Sequence, residues 1–510
     1  MAVIVYHQNN KIVEVDFEGN SILYSQKNIA ANLFQIAEVY SNELIIWCRL
    51  DLKSNLNPSK FEDIFHHNKI LASYNLSTNT FLPDTIEYVD ESVFLNVPKE
   101  VSYPTWLMSS DVGGIHSSVL NLLKDKIKED SSFDYFLHSM AKLAMLCGLL
   151  CYSEPLLVKN CSKIVSKNRN SNFLALRFVK QHYRTRWVFL LFLDLLLYEK
   201  KFALFPFLIS FGFRKRTLDA DLLDGINVKS TRKVIDKKTI DVIIPTIGRR
   251  EYLYDVLKDL SKQTHLPVNV IVVEQNPDLN SVSELDYLKN EKWPFTINHT
   301  FTHKTGACNA RNLALAEVTS EWVFLNDDDN RFEPDLIEKT FENIKQYGCL
   351  AALTFYPVAG QKLIERKTSQ ASIFGSGNSF IKASALNKIK FNKSLEFGYG
   401  EDAEFGLQLR KIGYDVIYFP NLVINHLRAP MGGFRTKPVL AWKDELIQPK
   451  PSPTIMFLKL NNFTLKQVLG YKTVLFFKFY KMQQIKNPIK YVNNFRAQWK
   501  VSVFWAERLK

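Results

Sequence analysis

Hydrophobic and polar positions change between two periodicities along residues 236–445. Short apolar runs rich in β-branched residues, such as TIDVIIPT and VNVIVVEQN, predict buried strands. The intervening segment REYLYDVLKDLSKQT instead places Leu253, Val256, Leu257 and Leu260 at helical spacing. GACNARNLALAEVT then predicts a helix and EWVFLNDDD a further strand. This succession predicts an α/β domain with a mainly parallel sheet flanked by helices.

Polar and turn-forming residues follow three of the predicted strands. Pro245, Glu274 and the triplet 327–329 each stand where an apolar run stops. In open α/β sheets, ligands bind beyond the carboxyl ends of the strands. These residues are therefore expected to converge on one crevice.

Changes in composition divide the chain into three ranges. A polar, basic stretch at 229–239 precedes the α/β domain, which we place at 236–446. The proline-containing segment IQPKPSPT opens a third range, 447–510, predicted to be a linker and a basic, aromatic helical tail. Residues 1–235 form the remaining range, predicted to be an N-terminal α/β domain.

The first range contains a faint echo of the second. Three pairs of segments occur in the same order: 37–52 with 316–330, 109–121 with 374–387, and 133–158 with 401–424. The acidic triplet is replaced by RLD, and no counterpart of the first strand of the later domain is found. The hypothesis is a degenerate, non-catalytic copy of the later domain. The alternative is chance similarity between helix and strand patterns.

The bulk properties limit the location and the partners of the protein. No basic-then-apolar leader opens the chain, and its six cysteines include no C-x-x-C pair, which favours a reducing, cytoplasmic location. The apolar run 187–198 is interrupted by Asp194 and is too short to span a bilayer, so it predicts a buried or interfacial helix. The net charge of +13 favours an anionic partner. No nucleic-acid readout motif occurs, so nucleic acid is not expected.

The tail carries much of the positive charge. Residues 471–510 hold nine Lys or Arg and one acid. Val492, Phe495, Trp499 and Val503 form an apolar stripe at helical spacing. This combination predicts contact with an anionic membrane surface, on the inner face of the membrane. The alternative is a helix that packs on the protein itself.

Three adjacent acids at a strand end raise a chemical question. Asp327, Asp328 and Asp329 repel one another, so their clustering indicates either a solvated turn or a site for a cation. A second acidic pair, Glu401 and Asp402, opens a predicted helix, where acids are favoured by the helix dipole even without a chemical role.

The combined motifs resemble those of a known family. VIIPTIGRREYLYDVLKDLSKQTHLPVNVIVVEQN, ARNLALAEVTSEWVFLNDDDNRFEPD and FGYGEDAEFGLQLRKIGYDVIYFP are similar, in this order and spacing, to family 2 glycosyltransferases of the GT-A fold. The resemblance extends over about residues 240–440. It implies a GT-A nucleotide-diphospho-sugar transferase fold for this range.

The resemblance assigns roles to the acids. Asp327 and Asp329 match the D-x-D motif and are expected to hold Mn²⁺ or Mg²⁺, with Asp329 in direct coordination and Asp328 beside the donor. Asp402 is expected to be the catalytic base of an inverting displacement. Glu401 is expected to assist it or to bind the acceptor.

The resemblance also implies donor contacts. Glu274 stands where the family usually has an Asp that accepts from the base, so the base preference stays open. His426 is expected to be a further metal or diphosphate ligand, or else a structural residue. The remaining expected donor-binding residues are Pro245, Thr246, Arg249, Arg311, Gly377 (beside Gly375) and Arg435 (with Arg428).

These expectations define a predicted function. The chain is predicted to be a metal-dependent inverting glycosyltransferase that moves a single sugar from a nucleotide-diphosphate donor to a glycan or lipid-linked acceptor in surface polysaccharide synthesis. The Q-x-x-R-W signature of processive synthases is absent from this region, which favours single addition. One alternative is a nucleotidyltransferase, although PTIGRRE contains only one glycine. The other is a non-catalytic scaffold of a glycan assembly complex.

Overall fold

A computed structural model describes residues 1–21, 28–159, 171–358, 360–361, 363, 367–429 and 439–509. The chain forms two compact units. The first unit comprises Met1–Arg232 and Phe463–Met482, and the second comprises Lys233–Asn462 and Gln483–Lys510. The boundary near residue 232 lies close to the predicted one, but the predicted third range is divided between the two units.

The first unit contains a mixed sheet and a set of helices. Its strands are β1 (Ala2–Gln8), β2 (Lys11–Phe17), β3 (Asn20–Ser21), β4 (Leu44–Arg49), β5 (Ile70–Tyr74), β6 (Tyr103–Pro104), β7 (Val112–His116) and β8 (Leu150–Ser153). Its helices before residue 232 are α1 (Ile29–Val39), α2 (Phe61–Ile64), α3 (Ser117–Leu123), α4 (Phe133–Ala144), α5 (Asn172–His182), α6 (Arg186–Glu199) and α7 (Leu204–Ser210).

The second unit contains a larger mixed sheet. Its strands are β9 (Ile240–Thr246), β10 (Asn269–Gln275), β11 (Thr296–Thr302), β12 (Trp322–Asn326), β13 (Asn330–Phe332), β14 (Ala351–Phe355), β15 (Ser369–Gln370), β16 (Asn378–Lys382) and β17 (Val416–His426). Its helices up to residue 462 are α8 (Arg250–Ser261), α9 (Tyr287–Asn290), α10 (Ala307–Ala316), α11 (Leu336–Tyr347), α12 (Glu401–Lys411) and α13 (Pro453–Asn462).

The sheet of the second unit has the strand order β11-β10-β9-β12-β16-β14-β17-β13, and β15 pairs with β17. The strands β11, β10, β9 and β12 are parallel, so their carboxyl ends meet at one edge. The apolar stripe predicted for α8, at Leu253, Val256, Leu257 and Leu260, is buried. This arrangement is an α/β sheet of the GT-A fold, as predicted, with its parallel half carrying the first predicted strands.

The sheet of the first unit has the order β3-β2-β1-β4-β7-β5-β8-β6. Its central run β1-β4-β7-β5-β8 has the same order and the same strand directions as β9-β12-β16-β14-β17. The sequence revealed no counterpart of the first strand of the later domain, whereas β1 occupies that place in the sheet. The units differ beyond it, because β2 returns as an antiparallel hairpin while β10 continues in parallel.

The apolar run at 187–198 lies in α6. Asp194, which interrupts the run, is buried and accepts a hydrogen bond from the Thr473 hydroxyl at 2.6 Å. Burial raises the pKa of Asp194 to about 7, although the Thr473 hydroxyl opposes this shift. Within the described residues, the helices are all too short or too polar to cross a bilayer.

The predicted tail forms two helices, α14 (Leu465–Met482) and α15 (Pro488–Arg508). Helix α14 belongs to the first unit, where Gly470 lies against the Tyr88 carbonyl so closely that a Cβ atom would clash. Helix α15 belongs to the second unit and packs on α13. Phe495 and Trp499 of the predicted stripe are buried there, which agrees with the alternative of packing on the protein itself.

Candidate active site

A cavity of about 390 Å³ opens at the carboxyl ends of β9, β10 and β12. It brings together residues that lie up to about 180 positions apart in the sequence, because the parallel strands end at the same edge. Its lining consists of Pro245, Thr246, Ile247, Arg249, Gln275, Thr305, Gly306, Ala307, Arg311, Asp327, Asp328, Asp329, Phe397, His426, Arg428 and Ala429. Eight of the predicted site residues therefore line one cavity. They are Pro245, Thr246, Arg249, Arg311, Asp327, Asp328, Asp329 and His426.

Asp328 is a fully buried acid of the triplet. Its carboxylate accepts from the Thr246 hydroxyl at 2.7 Å and from the Arg249 guanidinium at 2.5 Å. Burial raises the pKa of Asp328 to about 6, and the Arg249 charge opposes that rise. Asp328 thus joins the end of β9 to the start of α8.

Asp329 is buried beside two cationic or basic groups. Arg249 lies 3.1 Å from one carboxylate oxygen and His426 lies 3.5 Å from the other. The Ala429 N–H donates to the same carboxylate at 2.9 Å. Burial alone would raise the pKa of Asp329, but the His426 and Ala429 hydrogen bonds outweigh it and the pKa is lowered. Asp329 is therefore held as a carboxylate.

Asp327 is the most accessible of the three acids. Arg311 lies 3.0 Å from one carboxylate oxygen, and the Tyr356 hydroxyl oxygen lies 3.3 Å from the other. Gly377 stands behind this carboxylate, where any Cβ would clash with it. The predicted close approach at Gly377 is thus to a side chain of the site.

Tyr356, which was not among the predicted site residues, lies beside Asp327 and His426. The Tyr356 ring stacks on the His426 ring, with centroids 4.7 Å apart and planes 7° from parallel. Its hydroxyl donates to Asn330 at 2.7 Å. Tyr356 directly follows β14, and this position after a strand could have indicated that it is a candidate site residue.

The acidic pair opens α12, and Gly400 precedes it with a φ of 106°. The Ser376 hydroxyl donates to the Asp402 carboxylate. Burial raises the pKa of Asp402, with the Arg311 charge and the Ser376 hydrogen bond opposing it. Burial and the neighbouring Asp402 charge raise the pKa of Glu401 as well. Neither acid lines the cavity.

Arg311 connects the two acidic groups electrostatically. Burial disfavours its charge, but Asp327, then Asp402 and Glu401, outweigh this and raise its pKa. The guanidinium therefore stays charged between the triplet and the pair. It is the residue through which the start of α12 acts on the cavity.

Glu274, which was expected to contact the base of the donor, binds other residues of the protein instead. Its carboxylate accepts from Ser283 at 2.5 Å, from His299 at 2.9 Å and from the Glu284 N–H at 3.1 Å, and it does not line the cavity. Because side chains alternate along a strand, the next residue, Gln275, faces the cavity instead. Gln275 accepts from the Gly306 N–H at 2.7 Å.

The N-terminus of α10 also borders the cavity, but its charge is already balanced. The Glu396 carboxylate accepts from the N–H groups of Cys308 and Asn309 at 2.9 and 2.8 Å. An exposed cation, Arg428, lines the opposite wall in a left-handed conformation with φ of 51°. Arg435, the other predicted diphosphate contact, lies outside the described residues.

The triplet has the donor chemistry that a hard divalent cation requires. Within the described ranges, no three His, Cys, Asp or Glu side chains are arranged to hold a metal ion. Mg²⁺ commonly uses only one or two carboxylates and completes its shell with water and substrate phosphates. Asp327 and Asp329, which line the same cavity, fit that partial set.

Comparison with known proteins identifies this part of the chain. Residues 241–400, about a third of the chain, match the family described as Glycosyl transferase family 2, so this segment resembles the members of that family.

Two curated relatives match about a quarter or less of this chain. The glycosyltransferase TuaG of Bacillus subtilis, provisionally assigned to teichuronic acid biosynthesis, is 28% identical over 127 residues, which is 24% of this chain and 49% of that protein. The glycosyltransferase GlyG of Streptococcus pneumoniae is 22% identical over 107 residues, or 21% of this chain and 35% of that protein. The chain thus spans half or less of the length of these relatives.

Solved structures overlap only partly with this chain. The structure of S. aureus TarS 1-349 in complex with UDP-GlcNAc is 16% identical, with a TM-score of 0.36, and covers 46% of this chain and 70% of that one.

Proposed function

We propose that the second unit is a glycosyltransferase that moves one sugar from a nucleotide-diphosphate donor to a glycan or lipid-linked acceptor. The observation that supports this most is the cavity at the strand ends, where the acidic triplet faces Arg249, Arg311 and Arg428. Relatives named as glycosyltransferases match part of this chain. A role in surface polysaccharide synthesis is part of the proposal.

The donor would lie across the ends of β9 and β12. Pro245 and Gln275 offer a wall for the base, with Gln275 taking the place predicted for Glu274. Arg428 and Arg311 offer positive charge to the diphosphate, and a guanidinium can bind phosphate oxygens in pairs. Arg249 would act indirectly, because it is bound to Asp328 and Asp329.

A divalent cation, Mn²⁺ or Mg²⁺, is part of the proposal. Asp329 and Asp327 would hold it, with His426 beside them. When bound, it would offset the negative charge that develops on the leaving nucleoside diphosphate. Asp329 is suited to this role because its neighbours keep it ionised.

The acceptor hydroxyl would be deprotonated by Asp402. In the proposed inverting displacement, the acceptor oxygen bonds to the anomeric carbon, the bond to the diphosphate breaks, and the hydroxyl proton moves to Asp402. Its raised pKa suits a base that must take up a proton. Arg311 and Ser376 would hold the carboxylate in position.

A donor screen tests the proposal. The full chain is incubated with a panel of nucleotide sugars, with Mn²⁺ or with a chelator, and the released nucleotide is identified. Release of nucleoside diphosphate that requires the cation is expected. Release of pyrophosphate would instead indicate a nucleotidyltransferase. No turnover and no donor binding would indicate a non-catalytic scaffold. Release of nucleoside diphosphate in the presence of the chelator would mean that the arginines, without a cation, stabilise the negative charge of the leaving group.

The first unit is proposed to be a non-catalytic copy of the second. Strand pairing supplies the correspondence between them, because Leu44 pairs with His116 as Trp322 pairs with Lys382. Counting along the strands from these pairs matches Arg49 with Asp327, Asp111 with Gly377, and Ser110 with Ser376. Asp134 is the second residue of α4, and Asp402 is the second residue of α12.

The matched positions differ in charge where the donor would bind. Arg49 stands in place of Asp327, and its guanidinium lies 2.5 Å from Asp111, in place of the glycine. A cation held by an internal partner offers no ligand for a metal. The Ser110 N–H nevertheless donates to Asp134 at 2.9 Å, as Ser376 donates to Asp402. This supports descent from one ancestral unit followed by loss of the donor site.

A lipid-linked acceptor would place the protein at a membrane surface. Contact with the inner face of an anionic membrane therefore remains part of the proposal. The tail stripe that suggested it is buried, so another surface has to make that contact.

A further inference from the structure

The first unit exposes a continuous set of apolar side chains on α6, α7 and their flanks. We call residues 184–215 the hairpin. Phe205 is 79% exposed, Phe202 68%, Leu208 56%, Phe189 54% and Ile209 51%. Leu196, Leu197, Leu204 and Phe211 are exposed as well. A patch of this kind marks an interaction surface in a folded protein.

The aromatic members of the hairpin are packed against each other. The ring centroids of Phe192 and Phe207 are 4.7 Å apart, those of Phe207 and Phe211 5.1 Å, and those of Phe189 and Phe207 5.3 Å. The Phe192 and Phe202 rings are 5.9 Å apart and join the middle of α6 to the segment that precedes α7. The exposed apolar side chains therefore stand on a preformed helical hairpin.

The charges of the hairpin are of one sign at its surface. Its exposed residues are apolar or basic apart from Thr185 and Gly212. The exposed basic residues are Arg184, Arg186, Lys200, Lys201, Arg214 and Lys215. Neither acid of the hairpin is exposed, since Asp194 is buried against Thr473 and Glu199 is half-buried and pairs with Lys201 of the hairpin and with Lys466.

We propose that the hairpin binds the surface of an anionic lipid bilayer. Exposed phenylalanine and leucine side chains enter the boundary between headgroups and acyl chains, and flanking lysines and arginines attract anionic headgroups. The hairpin has both features on neighbouring short helices. The arrangement corresponds to binding in the plane of the surface, because the described helices include none that could span the bilayer.

A second copy of the chain fits this surface less well. A two-fold interface would bring the same patch of both copies together. The six exposed cations of one hairpin would then face those of the other, with no exposed acid to offset them. An anionic bilayer meets the apolar and the basic part at once.

The experiment is co-sedimentation of the full chain with vesicles. Vesicles of phosphatidylcholine alone are compared with vesicles that also contain phosphatidylglycerol, at low and at high salt. The test variant carries Phe205→Gln and Leu208→Gln. Its matched control carries Leu279→Gln and Val282→Gln, which are 79% and 77% exposed in the second unit. A third variant, Arg496→Gln with Lys500→Gln, removes exposed charge from α15.

Wild type and both control variants are expected to bind the anionic vesicles, with binding weakened by salt. The hairpin variant should lose at least about tenfold in partition coefficient, given the loss of two inserted apolar side chains. All four proteins should melt at the same temperature, because the substituted residues are exposed. Binding is measured without donor or acceptor, so the result is independent of the proposed transfer reaction.

Three results would overturn the proposal. The first is wild-type protein that stays in the supernatant with anionic vesicles. The second is equal loss of binding in the Leu279 and Val282 control. The third is a wild-type dimer in solution that the hairpin substitutions convert to a monomer without any vesicle binding, since the hairpin would then be an interface between copies.

Discussion

At the scale of single residues, guanidinium groups hold the acids of the cavity in place. Arg249 contacts Asp328 and Asp329, and Arg311 contacts Asp327. Each pairing offsets the cost of burying a carboxylate, which would otherwise favour its protonation. The pKa values of two adjacent acids nevertheless shift in opposite directions. The pKa of Asp329 is lowered, and that of Asp328 is raised to about 6.

Asp329→Asn should weaken donor binding in the presence of Mn²⁺ by at least about tenfold, because a neutral amide is a weaker ligand for a divalent cation than a carboxylate. Asparagine keeps the shape of the side chain and can still accept from the Ala429 N–H. The measurement is calorimetric titration with the donor found in the screen, with and without Mn²⁺. Asp335→Asn, at the start of α11, is the control. Equal affinity in wild type and variant under both conditions would remove Asp329 from the metal site.

Asp402→Asn should bind donor normally and transfer about 10²- to 10⁴-fold more slowly, the loss expected for a missing general base. Donor affinity is measured by titration and turnover at saturating acceptor. If turnover stays near that of wild type, another group takes the proton. If donor affinity falls as well, Asp402 acts on the donor through Arg311.

Ser376→Ala should move the acidic limb of the pH–rate profile to higher pH. The base must be deprotonated, so activity falls as pH drops through the raised pKa of Asp402. The Ser376 hydroxyl stabilises the carboxylate and lowers this pKa, so its removal raises the pKa of Asp402 further. The profile of kcat/KM against pH measures the shift. An unmoved acidic limb would show that this limb does not report Asp402.

At the scale of elements, the packing of α6 on α14 depends on one buried acid. Asp194 has a folded pKa of about 7 against an ordinary value of 3.8, so the folded state holds its proton more tightly than the unfolded state does. This contribution to stability is therefore present below about pH 4 and is lost as the pH rises to about 7. Its loss is at most about 4 kcal/mol.

Asp194→Asn should remove that pH dependence, because the amide stays neutral and can still accept from Thr473. The Tm of the variant relative to wild type should be higher at pH 8 than at pH 5. Asp125→Asn, an exposed acid in the same unit, is the control and should show no such change. The same relative Tm for Asp194→Asn at both pH values would mean that Asp194 is ionised throughout.

At the scale of the whole molecule, only one of the two similar sheets is proposed to bind donor. Titration of the full chain should therefore saturate at one nucleotide sugar per chain. A variant with Asp327→Asn and Asp329→Asn should show no second class of sites. Saturation at two, or one site left intact in the variant, would place a nucleotide in the first unit and contradict its loss of the donor site.

The C-terminal helices are integral parts of both units. Deleting residues 471–510 removes most of α14, with its Thr473 contact to Asp194, and all of α15, with its buried Phe495 and Trp499. The truncated chain should show lowered Tm values, and limited proteolysis should cleave both units. Unchanged melting would mean that these helices contribute little. Such a deletion is therefore not a selective test of membrane binding.

Short-range pattern was sufficient to predict the parallel part of the sheet in the second unit. The alternation of strand and helix periods between 236 and 445 depends on neighbouring residues, so it predicted the parallel strands and the buried face of α8. The same rule places residues that follow parallel strands at one edge. Of the residues expected to converge there, Pro245 and the acidic triplet line the cavity, whereas Glu274 does not. In the first unit, the similarity of three segments to segments of the later domain predicted strands at the positions of β4, β7 and β8.

Only the tertiary structure decided which side chains face the cavity. Glu274 and Gln275 are adjacent in the sequence, and the facing of β10 directs the amide to the cavity while His299 takes the carboxylate. Tyr356 and His426 stack across 70 positions, and Asp194 finds Thr473 across 279. The tail was divided between two units because its apolar faces had complementary surfaces to bury. Such long-range pairings leave no periodic trace in the sequence, because they depend on where distant segments meet after folding.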